Sequence, residues 1–471
     1  MDQISFGTGG WRTTLDNFTD DRIQMVGQAV ATYLRETQGQ TDRSVAIGYD
    51  ARKRSNAAAK SLADVLSANG FDVLLTARDV PTPTVAYAVA DRNLAGALIV
   101  TASHNPPEYN GVKFVPEDTA SPLPSVTETI ESYLEPPTSL PEAKHGSIER
   151  FDPVPAHLSR AINLTNLYFE ADLSGLTIVY DAMHGSGRGI TDSLLESAGA
   201  EVIRRRCERD PTFGDVAPEP NRDTLQGLAT AVEANNADLG IANDGDGDRI
   251  TVCTPQRGVL SGHLLFAGLY EALLSNSEMS GPAVRTVSTT FLIDRIADAY
   301  ETTVYEVPVG FKWVARGRDE HNALLAGEES GGFTIKNHIG EKDGVFVALL
   351  AAAATALEPF DDRLDRLFET YGRIYADKIN IDCPEEKKTS VLVALEESIP
   401  ETIVGQPIVE TITLDGFKLL LADGSWILIR PSGTEPKLRV YAETTNAERL
   451  TSLLTAGREL IESVIDRDPK R

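Results

Sequence analysis

The chain has 471 residues, 41% of them hydrophobic, which is enough for about three or four domains with buried cores. Its formal net charge is −26, and because no basic patch offsets this charge, we expect neither nucleic acid nor an anionic membrane as a partner. The three cysteines are scattered and odd in number, so they indicate neither a disulfide framework nor a zinc cluster and favour a reducing compartment.

Neither a signal peptide nor a membrane span is expected. The N-terminal stretch MDQISFGTGGWR lacks a basic region followed by an apolar run. The longest apolar run, VFVALLAAAATAL at 345–357, is too short to cross a bilayer and predicts a buried helix. The sequence therefore predicts a soluble, cytoplasmic protein.

The basic residues are mostly arginine, with 31 arginines and 13 lysines. Many acids with few lysines indicate a protein that works in high salt, where repulsion between its charges is screened. An ordinary acidic enzyme is the alternative. A melting temperature that rises with KCl would support the halophilic interpretation, and one that does not depend on salt would contradict it.

The first part of the chain alternates between strand and helix patterns. Strands are predicted at 44–50, 70–77 and 95–103, with helices between them at 55–69 and 83–92. This alternation is typical of right-handed βαβ units in a mostly parallel sheet. Ser103 then lies just beyond the carboxyl end of a buried strand, at the sheet edge where ligands bind in α/β proteins.

The strand–helix pattern starts again twice and then changes. Further strands are predicted within 176–189, 237–252, 285–290, 302–310 and 322–335. Beyond about residue 371, strands within 416–444 turn at Asp423–Gly424, and a helix follows at 447–465. The prediction is three related α/β domains with mixed, mostly parallel sheets and a small C-terminal α+β domain. Their predicted ranges are 1–150, 151–255, 256–370 and 371–471.

The stretch NDGDGDR at 243–249 is the strongest chemical signal. Asp244, Asp246 and Asp248 alternate with glycines, which let the backbone turn tightly so that three carboxylates converge. Oxygen ligands suit a hard cation such as Mg²⁺ or Ca²⁺. An EF-hand is rejected because Arg249 and Pro255 occupy the places of its glycine and glutamate. A solvated acidic turn is the alternative.

Three carboxylates over-neutralise a divalent ion, so the metal is expected to bind a phosphate as well. A phosphorylated Ser103, in the stretch TASHNP, would complete such a site. Acyl transfer is not expected because Ser103 has no GxSxG elbow. The alternative is that the Ser-His-Asn-Pro stretch is a plain turn.

Three more stretches could bind a sugar phosphate. Glu328 and Ser330 in AGEESGGF could point a carboxylate and a hydroxyl at vicinal sugar hydroxyls. The stretch IRPSGTEPKLRV at 429–440 offers a phosphate clamp of many donors with few competing acids: Arg430, Ser432, Gly433, Thr434 and Arg439. Lys312 in GFKWV and Arg12 in GTGGWR add cations. Ordinary surface turns are the alternative for each stretch.

Five motifs occur in the order GTGGWR, TASHNP, DGDGDR, GEESGG and RPSGTEPK. In order and spacing they resemble the α-D-phosphohexomutase family, which includes phosphoglucomutases and phosphomannomutases. The resemblance covers nearly the whole chain. It implies four domains around a central cleft, the fourth a small flexible cap.

The resemblance also implies a role for each matched residue. Ser103 would carry the transferable phosphate, and Asp244, Asp246 and Asp248 would hold Mg²⁺ together with that phosphate. Arg12, His104, Lys113 and Arg249 match the charged positions around the serine, where acid and base candidates lie. Glu328 and Ser330 would contact the sugar, Lys312 would face the ligand, and the clamp of Arg430, Ser432, Gly433, Thr434 and Arg439 would hold the non-reacting phosphate.

The implied activity is that of an isomerase. Phospho-Ser103 would give its phosphoryl group to a hexose monophosphate, and the resulting hexose 1,6-bisphosphate would turn over and return its other phosphate to the serine. Glucose 1,6-bisphosphate would act as primer. Lys113 is favoured as general base because a desolvated lysine among cations can lose its proton. His104 is disfavoured because adjacent side chains do not usually face each other.

The motifs bear on the substrate as well. GEESGG departs from the GEMSGH of dual phosphomannomutase/phosphoglucomutases and from the GEQSGH of phosphoglucosamine mutases, so Gly332 removes one sugar contact. Together with GFKWV this favours glucose, with mannose and glucosamine left open. A metal-dependent sugar phosphatase or a non-catalytic sugar-phosphate-binding protein is the alternative of another class. The sequence does not decide between a monomer and a homodimer.

Overall fold

The first domain is built on a six-stranded mixed sheet. The computed structural model describes residues 4–7, 10–276, 279–433 and 435–465. The strands of this sheet are β1 (Gly10–Thr14), β2 (Val45–Tyr49), β3 (Val73–Thr76), β4 (Gly96–Val100), β5 (Tyr109–Pro116) and β6 (Ile148–Phe151). The helices are α1 (Asp20–Thr32, continued by a π-helical turn over Tyr33–Thr37), α2 (Ser55–Ala68), α3 (Thr82–Asp91) and α4 (Pro124–Ser132). The strand order is β1-β5-β4-β2-β3-β6, in which only β1 and β5 run antiparallel to their neighbours.

The second domain repeats this plan with five strands. Its elements are α5 (Val154–Tyr168), β7 (Thr177–Asp181), α6 (Thr191–Ser197), β8 (Glu201–Arg205), α7 (Gln226–Ala234), β9 (Leu239–Asn243), β10 (Ile250–Thr254) and β11 (Gly258–Val259). The strand order is β11-β10-β9-β7-β8. The three strands β9, β7 and β8 are parallel, and β10 and β11 are antiparallel additions.

The third domain has four strands and the most buried helix. Its elements are α8 (Gly262–Asn276), β12 (Ala283–Thr286), α9 (Leu292–Ala299), β13 (Val304–Val307), α10 (Phe311–Glu320), β14 (Leu325–Gly327), β15 (Phe333–Ile335), α11 (Gly344–Leu357) and α12 (Phe360–Tyr371). The strand order is β13-β12-β14-β15, with only β15 antiparallel. In each of the three domains a set of three or four parallel strands is therefore extended by one or two antiparallel strands.

The fourth domain is an antiparallel sheet with helices on one face. Its elements are β16 (Tyr375–Asp382), α13 (Glu385–Glu396), β17 (Thr402–Ile403), β18 (Gln406–Ile412), β19 (Phe417–Leu421), β20 (Trp426–Pro431), β21 (Lys437–Thr444) and α14 (Ala447–Ile465). The strand order is β16-β21-β20-β19-β18-β17. The predicted fold class, three related α/β domains and a small α+β domain, is confirmed.

Helix α11 explains why the apolar run at 345–357 does not need a membrane. Its side chains are buried almost throughout, and it packs against α5, α6 and α8 and against strands β9 and β10. The helix therefore joins the second and third domains through one core, as the sequence predicts for a buried helix. Within the described ranges no single helix is long and apolar enough to span a membrane, although α11 and α12, which meet at 77°, pass that test together.

The start of α11 is also a junction of three domains. Asp343 caps the helix by accepting the N–H of Phe346 with one carboxylate oxygen, and its other oxygen lies 2.7 Å from the Nε2 atoms of both His157 and His338. The other ring nitrogen of His157 is 3.0 Å from the hydroxyl of Thr84 on α3. One buried carboxylate thus links α3, α5 and the loop before α11.

Candidate active site

Ser103 lies in the loop that follows β4, close to the loop that follows β9 in the second domain. It is 1% exposed, and its Oγ is 3.0 Å from a carboxylate oxygen of Asp244. Gly245 permits this approach, because a Cβ there would stand 2.7 Å from the Ser103 carbonyl oxygen. The serine and the acidic loop are therefore in direct contact across two domains. Both follow strands at the carboxyl edge of their sheets, where the sequence predicts ligand-binding residues.

The structure corrects the expectation for His104. Its Nδ1 lies 3.4 Å from the Ser103 Oγ, although the two residues are adjacent in sequence. The cause is the backbone of Ser103, whose φ of 54° is in the left-handed region and turns the two side chains to the same side. Arg249, burial and Arg12 together lower the pKa of His104 well below its ordinary value, so its imidazole is neutral at pH 7.

The three aspartates of the DGDGDR loop converge between β9 and β10. All three are buried, and one oxygen from each lies within 4.8 Å of the others. Burial and the neighbouring charges of Asp246 and Asp248 raise the pKa of Asp244 well above its ordinary value. Like charges held this close repel one another, and a bound cation would relieve that repulsion.

The donor set fits a hard divalent cation. One oxygen of Asp246 and one of Asp248 are buried and accept no hydrogen bond. Buried carboxylate oxygens without donors are costly to leave unsatisfied, and oxygen-only ligands are those that Mg²⁺ prefers. We therefore interpret this loop as the metal site that the sequence predicts.

Two lysines from different domains offset the negative charge of the loop. The Nζ of Lys113, on β5, lies 2.7 Å from Asp246 and 2.8 Å from Asp248. The Nζ of Lys342 lies 3.2 Å from Asp248 and 2.7 Å from Glu341. Burial disfavours the charged form of Asp248, but Lys113, Lys342 and Arg249 outweigh burial and lower its pKa.

The prediction that Lys113 is a desolvated base among cations is wrong. Its nearest partners are two carboxylates, not cations. Burial acts to lower the pKa of Lys113, but Asp246 and Asp248 outweigh it and raise that pKa. The ammonium group is thus charged in the described structure, and the neutral side chain beside Ser103 is His104.

Arg12 and Arg249 complete the cationic surroundings. Arg12, on β1, donates a hydrogen bond of 2.9 Å to the side chain of Asn105 in the serine loop. The Nε of Arg249 is 4.0 Å from Asp248, and its backbone N–H donates to Asp244 at 3.1 Å. Both arginines therefore lie where the resemblance puts them, around Ser103 and the three aspartates.

The GEESGG loop of the third domain is joined to the metal loop through its backbone. Residues 249 and 332 form an isolated β-bridge, and the N–H of Ile250 donates to the carbonyl of Gly331 at 3.0 Å. Glu328 is held by the N–H of Gly310 at 2.9 Å and by the Ser330 hydroxyl at 3.3 Å. Burial and the adjacent Glu329 raise the pKa of Glu328.

Gly332 makes room for a lysine. A Cβ at this position would stand 2.4 Å from Cδ of Lys342, which passes beside it on the way to Asp248. The Nζ of Lys342 also lies 4.7 Å from the centroid of the Phe311 ring. The sequence indicates only that Gly332 removes a histidine contact, whereas the structure shows which side chain takes the space.

The phosphate clamp differs from its prediction in one respect, because acids do compete for it. Arg430 donates to Asp415 at 2.8 Å, and Arg439 donates to Glu435 at 2.6 Å. Ser432 is buried, and its hydroxyl accepts the N–H of Glu435 at 3.2 Å. A Cβ at Gly433 would meet open space, and Thr434 lies outside the described residues.

The clamp is connected to the GEESGG loop by a short series of hydrogen bonds. Asp415 accepts from Arg430 and from the N–H of Val309, at 3.1 Å, and the next N–H, of Gly310, donates to Glu328. Lys312 follows on α10, half-buried, with its Nζ 5.7 Å from the centroid of the Trp313 ring. The clamp therefore faces the same region of the third domain as Glu328 and Lys312.

Comparison with known proteins gives a consistent result along the chain. Family models described as phosphoglucomutase/phosphomannomutase match residues 3–139 (alpha/beta/alpha domain I), 156–258 (domain II), 261–371 (domain III) and 379–459 (C-terminal domain). The chain belongs to the phosphoglucomutase/phosphomannomutase family. This is the phosphohexomutase family of isomerases, so the chain is an isomerase that works by phosphoryl transfer, as the motifs predict.

Individual relatives agree on the fold and differ in name. A protein of Methanosphaera stadtmanae named "Probable phosphoglucosamine mutase" is 30% identical and aligned over 98% of both chains. A phosphopentomutase of Thermococcus kodakarensis is 28% identical over 99% of both chains. The crystal structure of a phosphoglucomutase/phosphomannomutase family protein from Burkholderia thailandensis superposes with a TM-score of 0.84 at 23% identity, over 99% of both chains. Family membership therefore leaves the sugar to be determined.

Sequence reasoning missed several residues of this phosphohexomutase site. Asp50 and Arg52 directly follow β2, and Thr82 begins α3 and donates to Asp246 at 2.7 Å. All three follow parallel strands at the carboxyl edge of the sheet, so the rule that located Ser103 could have found them. Lys342 carries no such signal, because it depends on the space left by Gly332.

Proposed function

We propose that this phosphohexomutase interconverts glucose 1-phosphate and glucose 6-phosphate. The observation that supports it best is the contact of 3.0 Å between the Ser103 Oγ and Asp244, with the two unsatisfied carboxylate oxygens beside it. A serine hydroxyl buried against a metal-binding carboxylate is suited to carry a phosphoryl group and poorly suited to most other chemistry.

The reaction consists of two transfers with a rotation between them. In the first, the phosphoserine O–P bond breaks as a P–O bond forms to the free hydroxyl of the hexose monophosphate, whose proton passes by way of a base to the released Ser103 oxygen. The hexose 1,6-bisphosphate turns over in the cleft. In the second, its other phosphate bonds to the Ser103 oxygen, and the released sugar oxygen takes back a proton.

The residues of the site divide this work by charge and geometry. Arg12, Lys113 and Arg249 offset negative charge on the moving phosphoryl group. Asp244, Asp246 and Asp248 would hold Mg²⁺, which when bound supplies further charge neutralisation at the phosphoryl oxygens. The proton acceptor is His104, which is neutral and 3.4 Å from the Ser103 oxygen, whereas the charged Lys113 can donate a proton but cannot accept one.

Glucose is favoured as the substrate by the third domain. Glu328 and Ser330 hydrogen-bond to each other in the loop that is bridged to the metal loop, where they can face vicinal sugar hydroxyls. The clamp of Arg430, Ser432, Gly433, Thr434 and Arg439 would hold the non-reacting phosphate, with Lys312 on the facing helix. Because Gly332 presents no side chain to the sugar, we expect no added contact of the kind a histidine provides.

The test is a competition between sugars. Equal amounts of glucose 1-phosphate, mannose 1-phosphate and glucosamine 1-phosphate are mixed with the protein, Mg²⁺, high KCl and a trace of glucose 1,6-bisphosphate. Phosphorus NMR follows the three 6-phosphates. We expect glucose 6-phosphate to form fastest, and comparable rates for mannose would instead indicate a dual enzyme.

Phosphoglucosamine mutase is the second candidate, because the Methanosphaera relative carries that name. Faster formation of glucosamine 6-phosphate in the same mixture would establish it and contradict the preference for glucose. Accumulation of free phosphate would show that the serine ester is hydrolysed and would favour a phosphatase. Binding without turnover would favour a sugar-phosphate-binding protein.

A further inference from the structure

The serine loop is held by one arginine that the reaction scheme does not use. The guanidinium of Arg52 donates four hydrogen bonds to backbone carbonyls of this loop, those of Ser103, Asn105, Pro106 and Tyr109, at 2.5 to 3.0 Å. The side chain of Arg52 is fully buried. A planar cation with donors in a fixed fork can hold several carbonyls in one arrangement, which a flexible lysine cannot.

Arg52 in turn forms a buried ion pair with Asp50. The Nε of Arg52 lies 3.1 Å from a carboxylate oxygen of Asp50, and both side chains are inaccessible to solvent. The same oxygen accepts from Thr101 at 2.7 Å, and the Thr101 hydroxyl accepts the N–H of Ser103 at 2.8 Å. Ser103 is therefore restrained on both sides, its N–H through Thr101 and its carbonyl through Arg52.

The restraint is needed because the backbone of Ser103 has an unfavourable conformation. Its φ of 54° is unfavourable for a residue with a side chain. A relaxed backbone would turn the hydroxyl away from Asp244. The four carbonyl contacts of Arg52 compensate for the unfavourable conformation and keep the hydroxyl in place.

The second domain contributes an aromatic ring to the same arrangement. The ring centroid of Phe213 lies 4.9 Å from the guanidinium carbon of Arg52, and Phe213 is 2% exposed. Phe213, Gly214 and Asp215 all have positive φ values, of 54°, 69° and 59°. Arg209, in the same loop, donates to the carbonyl of Ala51 at 2.9 Å. An unfavourable loop of the second domain is thus packed against the residue that holds the serine loop of the first.

We propose that Arg52 and Phe213 are positioning residues that keep the phosphoserine loop aligned with the metal loop across the boundary between the first two domains. The inference rests on the proposed function. The serine must accept and release a phosphoryl group in each turnover, so its oxygen has to return to the same place beside Asp244 while charge moves through the site. In such transfers, misplacement by about 1 Å can cost about a hundredfold in rate.

Two pairs of variants test the proposal. Arg52→Gln removes the fork and the charge, and Arg52→Lys keeps the charge with fewer, less directed donors. Phe213→Leu removes the ring at similar volume, and Phe213→Tyr keeps it. We expect kcat to fall about a hundredfold in Arg52→Gln and about tenfold in Arg52→Lys and in Phe213→Leu, with KM nearly unchanged and Phe213→Tyr close to wild type.

The matched control is another aromatic–arginine contact in the first domain. Phe151 is buried, and its ring centroid lies 5.3 Å from the guanidinium carbon of Arg92, outside the site. Phe151→Leu should lower the melting temperature about as much as Phe213→Leu and leave kcat unchanged. A fall in kcat of similar size in both leucine variants would show that general destabilisation is the cause and would overturn the proposal.

Two further measurements separate this inference from the proposed function. All variants are incubated with glucose 1,6-bisphosphate, and the phosphate on Ser103 is quantified by mass spectrometry. If the wild-type protein neither isomerises hexose phosphates nor gains this phosphate, the proposed function fails. If the wild type does both and folded Arg52→Gln isomerises at the wild-type kcat, only the positioning inference fails.

Discussion

The reaction centre and the phosphate clamp differ in how far they are assembled. Around Ser103, side chains from three domains already contact one another at hydrogen-bond distance, and two lysines contact the carboxylates. In the fourth domain the two clamp arginines are instead paired with Asp415 and Glu435. In the first site the reacting groups are already in contact, whereas in the second the arginines have acidic partners with which a phosphate would compete.

This difference follows from what each site must do. Transfer requires fixed geometry at one oxygen, so rigid loops at the carboxyl edges of parallel sheets are suitable. In the proposed reaction the clamp releases a bisphosphate and rebinds it in the other orientation. There, acids paired with the clamp arginines would weaken the hold on any one phosphate and favour turning over the intermediate.

The largest expected effect comes from removing the transferring oxygen. We expect Ser103→Ala to abolish isomerisation, because no other hydroxyl contacts Asp244 in the described structure. The measurement is the rate of glucose 6-phosphate formation with a trace of glucose 1,6-bisphosphate. The exposed Ser125→Ala is the control, and isomerisation by Ser103→Ala at the wild-type rate would refute the phosphoserine scheme.

Sequence reasoning predicted the first site better than the second. The order of strands and glycine-rich turns was enough to bring Ser103 and the three aspartates to one place, because the carboxyl ends of parallel strands share an edge. Residues 109–116 form the antiparallel strand β5, which carries Lys113. No helix precedes this strand, so the alternation of strands and helices does not predict its pairing with β4. The halophilic interpretation, the cytoplasmic location and the oligomeric state stay predictions.

What the sequence could not predict depends on single contacts between distant residues. The closeness of His104 to Ser103 comes from one left-handed φ angle. The path of Lys342 depends on the missing side chain at Gly332. The acids of the clamp are visible in the sequence, but only the folded sheet shows that Glu435 reaches Arg439. Motifs indicate which residues belong to the site, and packing determines which other residues they contact.

The next largest effect concerns the contact between the third and fourth domains. Lys418, on β19, is fully buried between the rings of Phe291 and Trp426, at 4.2 and 4.6 Å, and its Nζ is 2.7 Å from Glu306. Burial, assisted by the charge of Arg285, outweighs Glu306 and lowers the pKa of Lys418 to about 8. In the unfolded chain a lysine titrates near about 10.4.

The sign of the pH dependence follows from these two values. Between pH 8 and about 10.4 the unfolded chain binds more protons at Lys418 than the folded one, so this residue makes stability rise with pH there. Relative to Lys418→Met, the free energy of unfolding of the wild type should gain about 3 kcal/mol from pH 7 to pH 10.5. Denaturant titrations at several pH values measure it, with the exposed Lys60→Met as control. Parallel pH profiles for wild type and Lys418→Met would contradict the prediction.

A smaller effect is expected where the third domain meets the metal loop. In Gly332→Ala the new Cβ would displace Lys342 from Asp248, because it would stand 2.4 Å from Cδ of that lysine. We expect kcat to fall about tenfold, or about 1.4 kcal/mol, as in Lys342→Met. The double variant should be no slower than Lys342→Met alone, because both changes remove one interaction. Additive losses would show that Gly332 acts by another route.

The smallest effect tests whether the acids of the clamp compete with the substrate. The carboxylate of Glu435 is 2.6 Å from Arg439 and 3.0 Å from Lys437, and these hydrogen bonds lower its pKa. Glu435→Gln would free both cations at little cost, since partly exposed ion pairs contribute at most about 1 kcal/mol. We expect KM for glucose 1-phosphate to fall about two- to fivefold, with kcat unchanged or lower because the bisphosphate turns over more slowly. The control is the exposed Glu410→Gln on β18, which changes the net charge equally and should leave KM unchanged. An equal fall in KM in both variants would mean that the overall charge, and not the pairing within the clamp, determines the affinity for phosphate.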